Sequence, residues 1–312
     1  MEYINLKNTD LKVSRFCMGG CPMGGYNWGR VEQDELVGAI RKAIDTGVNF
    51  FDTADTYGLG QSEKTLAKGL GANRQDVIIE TKFGVRVEGG KTFYDNSPAY
   101  IDAALDNSLR RLDTDYIDIY LIHYRDGATP MEDVVEKLVQ LRDKGKIRYF
   151  GLSNVTAADI EEIKPFKGLF VNCQSEFSLA CRKNEEDLRR LQSELELTPM
   201  TWGSLGQGIL TGKYDLNSKF GYDDRRRLDI YVNFHGDKLK KNMEIVDVLR
   251  EIAVNRGKTL SACAIRFILD CIPESVALAG IKRADQLISN LDAMGWSFTP
   301  EEFKALDEVS KL

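Results

Sequence analysis

No apolar run in this 312-residue chain approaches the ~18 residues that a membrane-crossing helix needs. The start, Met1-Glu2-Tyr3-Ile4-Asn5, lacks both the basic region and the apolar core of a secretory signal, so a cytoplasmic location is expected. Basic excess is missing as well. A net charge of −6 argues against general nucleic-acid binding, and no membrane partner is expected. Histidine is scarce, with two in the chain, and the six cysteines are scattered. Cys17 and Cys21 lie near each other, but no second cysteine pair or nearby histidine completes a metal set, so reduced thiols and no metal are expected. Neither a linker nor an internal repeat divides residues 1–312, which are read as a single domain.

A further absence bears on fold. A doubly wound dinucleotide-binding sheet calls for G-x-G-x-x-G after its first strand. The corresponding turn here reads Gly19-Gly20-Cys21-Pro22-Met23-Gly24, and the later Gly206-Gln207-Gly208 lacks the third glycine.

What is present is a soluble globular composition, 43% hydrophobic and 29% charged. Apolar runs alternate with segments of helical spacing. A short hairpin is expected over residues 2–15, around Asn8-Thr9-Asp10. Strands are then expected at Phe16–Met18, Val48–Phe51, Val77–Thr81, Ile117–Ile122, Ile147–Leu152, Leu169–Cys173, Thr198–Thr201 and Ser275–Ala279. Helical segments separate them, with Ser62 expected to cap the second and Pro98 to open the third. A loop is expected around Gly84, Gly89 and Gly90, and an irregular stretch over about 203–237. Eight strand–helix units in a chain of this length fit an α/β (β/α)8 TIM barrel with an N-terminal β-hairpin and extra C-terminal helices. Such a barrel keeps its chemistry at the carboxyl ends of its strands.

Three strand ends carry ionisable groups. Asp52 ends the second strand and Tyr57 follows in the next turn; Lys82 ends the third, and His123 follows the fourth. Each has an ordinary reading: Asp52 as a turn cap, Tyr57 as a packing tyrosine, His123 as a hydrogen-bonded core histidine. Lys82 must be exposed or paired with an anion. The joint pattern has a chemical rationale. A tyrosine ionises near pH ~10, and a neighbouring ammonium favours the phenolate. A carboxylate fixes the ammonium, and a histidine orients a carbonyl. Such a set exchanges a proton with an alkoxide as hydride is transferred. No side chain donates hydride, so a nicotinamide cofactor is required.

At this point the chain resembles the aldo-keto reductase superfamily over nearly its whole length. The matching segments are Gly47 to Gly58 (GVNFFDTADTYG), Thr81-Lys82, Leu121-Ile122-His123, Gly151-Leu152-Ser153-Asn154, Gln174, and Leu205 to Tyr214 (LGQGILTGKY). The resemblance implies a (β/α)8 barrel holding extended NADP(H), with NAD(H) the lesser alternative, and a catalytic tetrad of Asp52, Tyr57, Lys82 and His123. It implies that Ser153, Asn154 and Gln174 bond the nicotinamide carboxamide and that Trp202 stacks on its ring. Gly203, Leu205, Gln207 and Lys213 would line the pyrophosphate, and Gly20 and Gly208 would also bind the cofactor. Gly280, Lys282 and Arg283 would meet the adenosine 2′-phosphate, and Gln286 and Asn290 the adenine. Ser204 stands where a proline is common and Ser289 where a glutamate is often found, so a change in cofactor affinity is expected.

Substrate walls are expected from Tyr26, Trp28, Phe83, Tyr124 and Arg125 and from the 214–237 stretch, although for Arg125 a surface salt bridge is favoured over contact with a substrate anion. The Arg225-Arg226-Arg227 run is read as a solvated face. The leading function is NADP(H)-dependent reduction of aldehydes or ketones, including sugar-like ones. The resembling branch includes bacterial general reductases and potassium-channel β subunits. A cofactor-binding sensor with weak catalysis therefore stands as one alternative, and a pathway-specific alcohol or sugar dehydrogenase as another. The partner expected in each enzymatic case is a small carbonyl or alcohol; oligomeric state is not legible.

Overall fold

The structure is a computed structural model and describes residues 1–25, 28–29 and 31–311. Its centre is a closed parallel barrel of eight strands, adjacent in chain order. They are β1 (Phe16–Gly19), β2 (Phe50–Asp52), β3 (Ile78–Phe83), β4 (Ile117–Ile122), β5 (Ile147–Ser153), β6 (Phe170–Glu176), β7 (Thr198–Trp202) and β8 (Val276–Gly280). β8 pairs with β1 to close the ring. The strands are rich in apolar residues because each is covered on both faces, by helices outside and by side chains within.

The covering helices include α1 (Gln33–Asp45), α2 (Gln61–Leu70), α3 (Pro98–Leu112), α4 (Met131–Asp143), α5 (Ile160–Ile163), α6 (Glu185–Leu195), α7 (Gly236–Arg256), α8 (Leu260–Cys271), α9 (Ala284–Leu291) and α10 (Pro300–Lys311). Pro98 opens α3 as expected, with Ser97 accepting the Tyr100 N–H. Ser62 is not the cap of α2. Gly60, in a left-handed conformation, takes that position, and the Ser62 hydroxyl is buried, donating to the Gly20 carbonyl at 2.8 Å. The expected loop after β3 is partly a hairpin. Val85–Glu88 pairs with Lys91–Tyr94 across Gly89-Gly90, whose φ values of 55° and 75° suit a tight turn.

Two apolar layers sit on either side of the sheet. Outward side chains such as Phe16, Phe51, Phe83 and Tyr120 pack with the helices. Inward ones such as Phe50, Ile78, Ile119, Met200 and Val276 pack with Leu6, Leu11 and Val13 of the N-terminal hairpin. Tyr3–Asn5 and Lys12–Ser14 form that hairpin. The Lys7 N–H donates to Thr198 at the start of β7, so the hairpin plugs the amino end of the barrel. The carboxyl end is left open for a site.

Candidate active site

Side chains alternate along a strand, so Glu80 and Lys82 on β3 point into the barrel while Thr81 and Phe83 point outward. Lys82 is fully buried, and its ammonium donates to Asp52 Oδ1 and, at 2.8 Å, to the Thr53 carbonyl. An ammonium survives burial only with such a partner. The Tyr57 ring lies over it, the Lys82 Nζ standing 5.1 Å from the ring centroid. His123 meets Tyr57 edge-on at 5.9 Å and stacks on Tyr124 at 5.1 Å. Its own N–H donates to the Phe83 carbonyl at 2.8 Å, tying the loop after β4 to β3.

Tyr57 is placed by backbone contact. The turn bearing it is pressed against the turn after β1 so closely that a Cβ on Gly58 would stand 2.1 Å from the Gly24 carbonyl oxygen. Gly58 also has φ of 62°, which side chains other than glycine's adopt reluctantly.

Asp52, Tyr57 and His123 face one cavity of about 1410 Å³ at the carboxyl end of the barrel. Pockets for drug-sized ligands run to roughly 1,000 Å³, so there is room for a large cofactor and a substrate together. Ser153, Asn154, Gln174 and Trp202 form its floor and nearby wall. The Trp202 indole N–H donates to Asn154 Oδ1 at 3.2 Å, which locks the ring in place. Asn154 in turn donates to the His123 carbonyl at 3.0 Å. From there the cavity extends as a groove past Gly203, Leu205, Gln207, Gly208 and Lys213 to Gly280, Lys282, Gln286 and Asn290.

The groove's far end is built for an anion. Burial, and then the neighbouring charge of Arg226, push the Lys282 ammonium below its ordinary value; Lys213 and Arg283 act in the same sense. The ammonium donates to the Trp28 carbonyl, and the Lys282 backbone N–H donates to Gln286 at 2.9 Å. Cations gathered at the end of a long groove fit a phosphate-bearing cofactor.

The reacting end is electrically quiet. Burial, and then the Asp52 carboxylate, hold the Tyr57 phenol well above the ordinary tyrosine value. Burial, and then Lys82, push the His123 imidazole well below its ordinary value. The expectation that the ammonium lowers Tyr57 is thus overturned here. Burial, with the Asp52 charge beside it, leaves a neutral phenol, and burial leaves a neutral imidazole. A neutral phenol is an acid, suited to protonating a developing alkoxide.

The sequence profile of the Aldo/keto reductase family matches residues 15–311. The chain belongs to this family. It is 33% identical to the aldo-keto reductase YhdN of Bacillus subtilis (strain 168), over 99% of this chain and 93% of that one. It is 30% identical to the aldo-keto reductase yakc [NADP(+)] of Schizosaccharomyces pombe, over 94% and 86% of the two chains. Among solved structures, the glycerol dehydrogenase AKR11B4 from Gluconobacter oxydans superposes with a TM-score of 0.88 at 32% identity, covering 98% of this chain and 94% of that one. An aldo-keto reductase is an oxidoreductase that interconverts carbonyl and alcohol groups, and a barrel with ionisable groups at its strand ends is the frame observed here.

Four expected site residues lie elsewhere in this aldo-keto reductase. Phe83 is fully buried outside the sheet, its ring 4.7 Å from Tyr120, because the alternation that turns Lys82 inward turns Phe83 outward. Arg125 lies off the cavity wall, bonded to Glu162 and the Thr129 carbonyl, each at 2.9 Å. Gly20 backs the site rather than lining it: its N–H donates to the Asp52 carbonyl at 2.7 Å, and a Cβ there would meet that oxygen at 2.6 Å. Arg283 turns to Asp285 at 3.0 Å, outside the cavity wall. Trp28 and Tyr124 do line the cavity; Tyr26 lies outside the described residues.

The basic run is also corrected. Arg226 is buried, donating to the Gln207 carbonyl at 2.9 Å and to Asp224 at 2.7 Å, so it braces the groove rather than facing solvent. Both departures from the family pattern have partners. Ser204 donates to the Thr201 and Leu278 carbonyls at 2.8 Å each, joining β7 to β8. Ser289 pairs with Ser261 at 2.8 Å. The sequence reading missed Glu80 and Asn172 in the barrel interior. Polar residues two apart on an otherwise apolar strand, Glu80 with Lys82 and Asn172 with Gln174, were the available signal.

Proposed function

We propose that this enzyme reduces aldehydes and ketones, sugar-like ones included, to alcohols with NADP(H), using Tyr57 as the proton donor. The observation that carries the reading is the meeting of Tyr57 with a buried, carboxylate-paired Lys82 and with His123 on one cavity wall. Bound in the groove, the dihydronicotinamide supplies the hydride.

The chain's own residues supply the rest. His123, neutral, orients the carbonyl toward Tyr57. The phenol gives up its proton as negative charge develops on the carbonyl oxygen. Lys82 then stabilises the phenolate, and Asp52 keeps Lys82 in place. Ser153, Asn154 and Gln174 position the carboxamide end of the cofactor, with Trp202 as the aromatic face. Gly203, Leu205, Gln207, Gly208 and Lys213 flank the pyrophosphate, with Gly280, Lys282, Gln286 and Asn290 at the adenosine. The 2′-phosphate reading rests on Lys282 and Lys213 rather than on Arg283. Trp28 and Tyr124 flank the substrate.

The similarity to a glycerol dehydrogenase favours a second direction, oxidation of a polyol with NADP+, on the same groups run in reverse. Turnover of NADPH with aldehydes, ketones and aldoses, and of NADP+ with polyols, tests both directions. Retention of NADPH without turnover on either panel would instead mark a cofactor-binding sensor.

A further inference from the structure

Beneath the Asp52–Lys82 pair lies a second carboxyl group for which the reaction has no evident use. Glu80 faces Asp52 in register across β2 and β3 and is fully buried. The Gln174 amide nitrogen is shared between the two acids, donating to Asp52 Oδ1 at 2.7 Å and to Glu80 Oε1. Asn172, two residues earlier on β6, donates to Glu80 Oε2. Lys82, on the same strand as Glu80, spends its donors on Asp52 and Thr53.

We propose that Glu80 is a positioning residue: through the shared Gln174 amide it fixes Asp52, and so the place of the Lys82 ammonium under Tyr57, and it does this as a neutral acid. The proposal rests on the tetrad reading above and adds a member to it that does not touch substrate.

Two anions and one cation buried side by side would leave an uncompensated charge, which a low-dielectric interior strongly disfavours. One carboxyl must carry a proton, and Asp52 has the ammonium. Burial, and then the Asp52 charge, accordingly raise Glu80 to about 8. The geometry also supplies an acceptor for that proton. Asn172 Oδ1 is buried without a hydrogen-bond partner, and turning the amide over presents this oxygen to Glu80 Oε2. A neutral Glu80 can then donate to Asn172 while still accepting from Gln174.

The groups surrounding Glu80 are few. Asp52 lies on β2, Lys82 on β3, Asn172 and Gln174 on β6, and Cys17 on β1 is held neutral, chiefly by burial. Ile119, its register partner on β4, is apolar, and Tyr57 stands above. Ionising Glu80 therefore adds a second negative charge below the phenol and draws the ammonium down between two carboxylates. Both effects disfavour the phenolate. Alcohol oxidation, which needs that phenolate as base, should stop gaining rate with pH once Glu80 ionises, whereas reduction is little affected.

The test compares wild type, Glu80→Gln and Tyr57→Phe, each as the full chain. Infrared difference spectra of cofactor-free wild type against Glu80→Gln report the carbonyl stretch of a neutral acid at position 80. The subtraction is needed because Asp55, chiefly through burial, is also raised to about 8. Rates of NADP+-dependent polyol oxidation are followed across about pH 6 to 10. A neutral-acid band that fades near pH 8 is expected, together with an oxidation rate that flattens there in wild type but keeps rising in Glu80→Gln. At the alkaline end the variant should lead by up to about tenfold, the effect of one pKa unit of coupling. No such band, or superimposable pH profiles for wild type and Glu80→Gln, would overturn the role of Glu80 while leaving the tetrad intact. A uniform loss of rate in Glu80→Gln at every pH would reduce Glu80 to a structural part and overturn the proposal too. Full turnover in Tyr57→Phe would sink the tetrad reading itself, and this proposal with it.

Discussion

Lys82 and Asp52 reach each other from adjacent parallel strands at the open end of the barrel, both more than nine-tenths buried. Their pairing is the electrostatic foundation of the site, because everything above it is neutral. Removing one partner strands the other in an apolar interior. Lys82→Met should cost about 3–5 kcal/mol of stability, and the double variant Asp52→Leu/Lys82→Met should recover most of that. Urea unfolding of the single and double variants measures both, and equal losses in the two would show that the pair is not what stabilises this region.

Tyr57→Phe removes the proton donor and keeps the ring. Carbonyl reduction should fall by roughly 10²- to 10⁴-fold, the usual contribution of a positioned acid. NADPH binding, followed by fluorescence, should stay within about twofold, since a hydroxyl that binds reactant and transition state unequally is spent on rate.

Gly58→Ala probes the placement of Tyr57 without touching its chemistry. The new methyl group has to displace the Gly24 carbonyl 2.1 Å away, at a residue already at φ 62°. A loss of about 1–3 kcal/mol is expected from the strained backbone alone. Turnover should fall further than stability predicts, because the turn that moves carries the phenol. Thermal unfolding and kcat on the same preparation separate the two effects.

His123 and Glu80 are two of the buried groups that make stability depend on pH, and Asp55, raised to about 8 chiefly by burial, acts in the same sense as Glu80. His123 lies well below the ordinary histidine value because of burial, and then Lys82, so the unfolded chain takes up a proton that the folded one refuses. Stability should fall as pH drops below about 6.5, and His123→Gln should flatten that limb. Glu80 has the opposite sense. Raised from 4.5 to about 8, it keeps a proton that the unfolded chain releases, so stability declines as pH rises between those values. Glu80→Gln should flatten this decline in a Tm–pH profile, and an unchanged slope would contradict the neutral acid.

Lys282→Ala addresses the cofactor. An ammonium to phosphate contact contributes about 1.5–3 kcal/mol, so NADPH should bind roughly 10- to 100-fold more weakly. NADH, lacking the 2′-phosphate, should be nearly indifferent. Equal weakening of both cofactors would move the phosphate site elsewhere.

The barrel was legible in the sequence because its signals are local. Apolar-rich runs such as Ile117–Ile122, interrupted by Asp118, mark strands covered on both faces, and Pro98, Gly47 and Gly71 punctuate the helices between them. Eight repeats of that pattern carry the fold with them. Asp52, Tyr57, Lys82 and His123 were visible for the same reason: each stands where an apolar strand gives way to a loop. The hairpin after β3 was legible too, since Gly89-Gly90 is a turn signal that a loop reading passed over.

What the sequence could not decide is where side chains at equal sequence distance end up in space. Phe83 and Lys82 are neighbours in the chain, yet strand alternation sends one to the helices and the other to the site. Arg225, Arg226 and Arg227 read as one charged run, but only closure of the 203–237 stretch over the groove buries the middle one against Gln207 and Asp224. The protonation of the site is likewise a tertiary result. Desolvation depends on everything that surrounds a group, so the neutrality of Tyr57, His123 and Glu80 follows from the closed barrel and not from their identities.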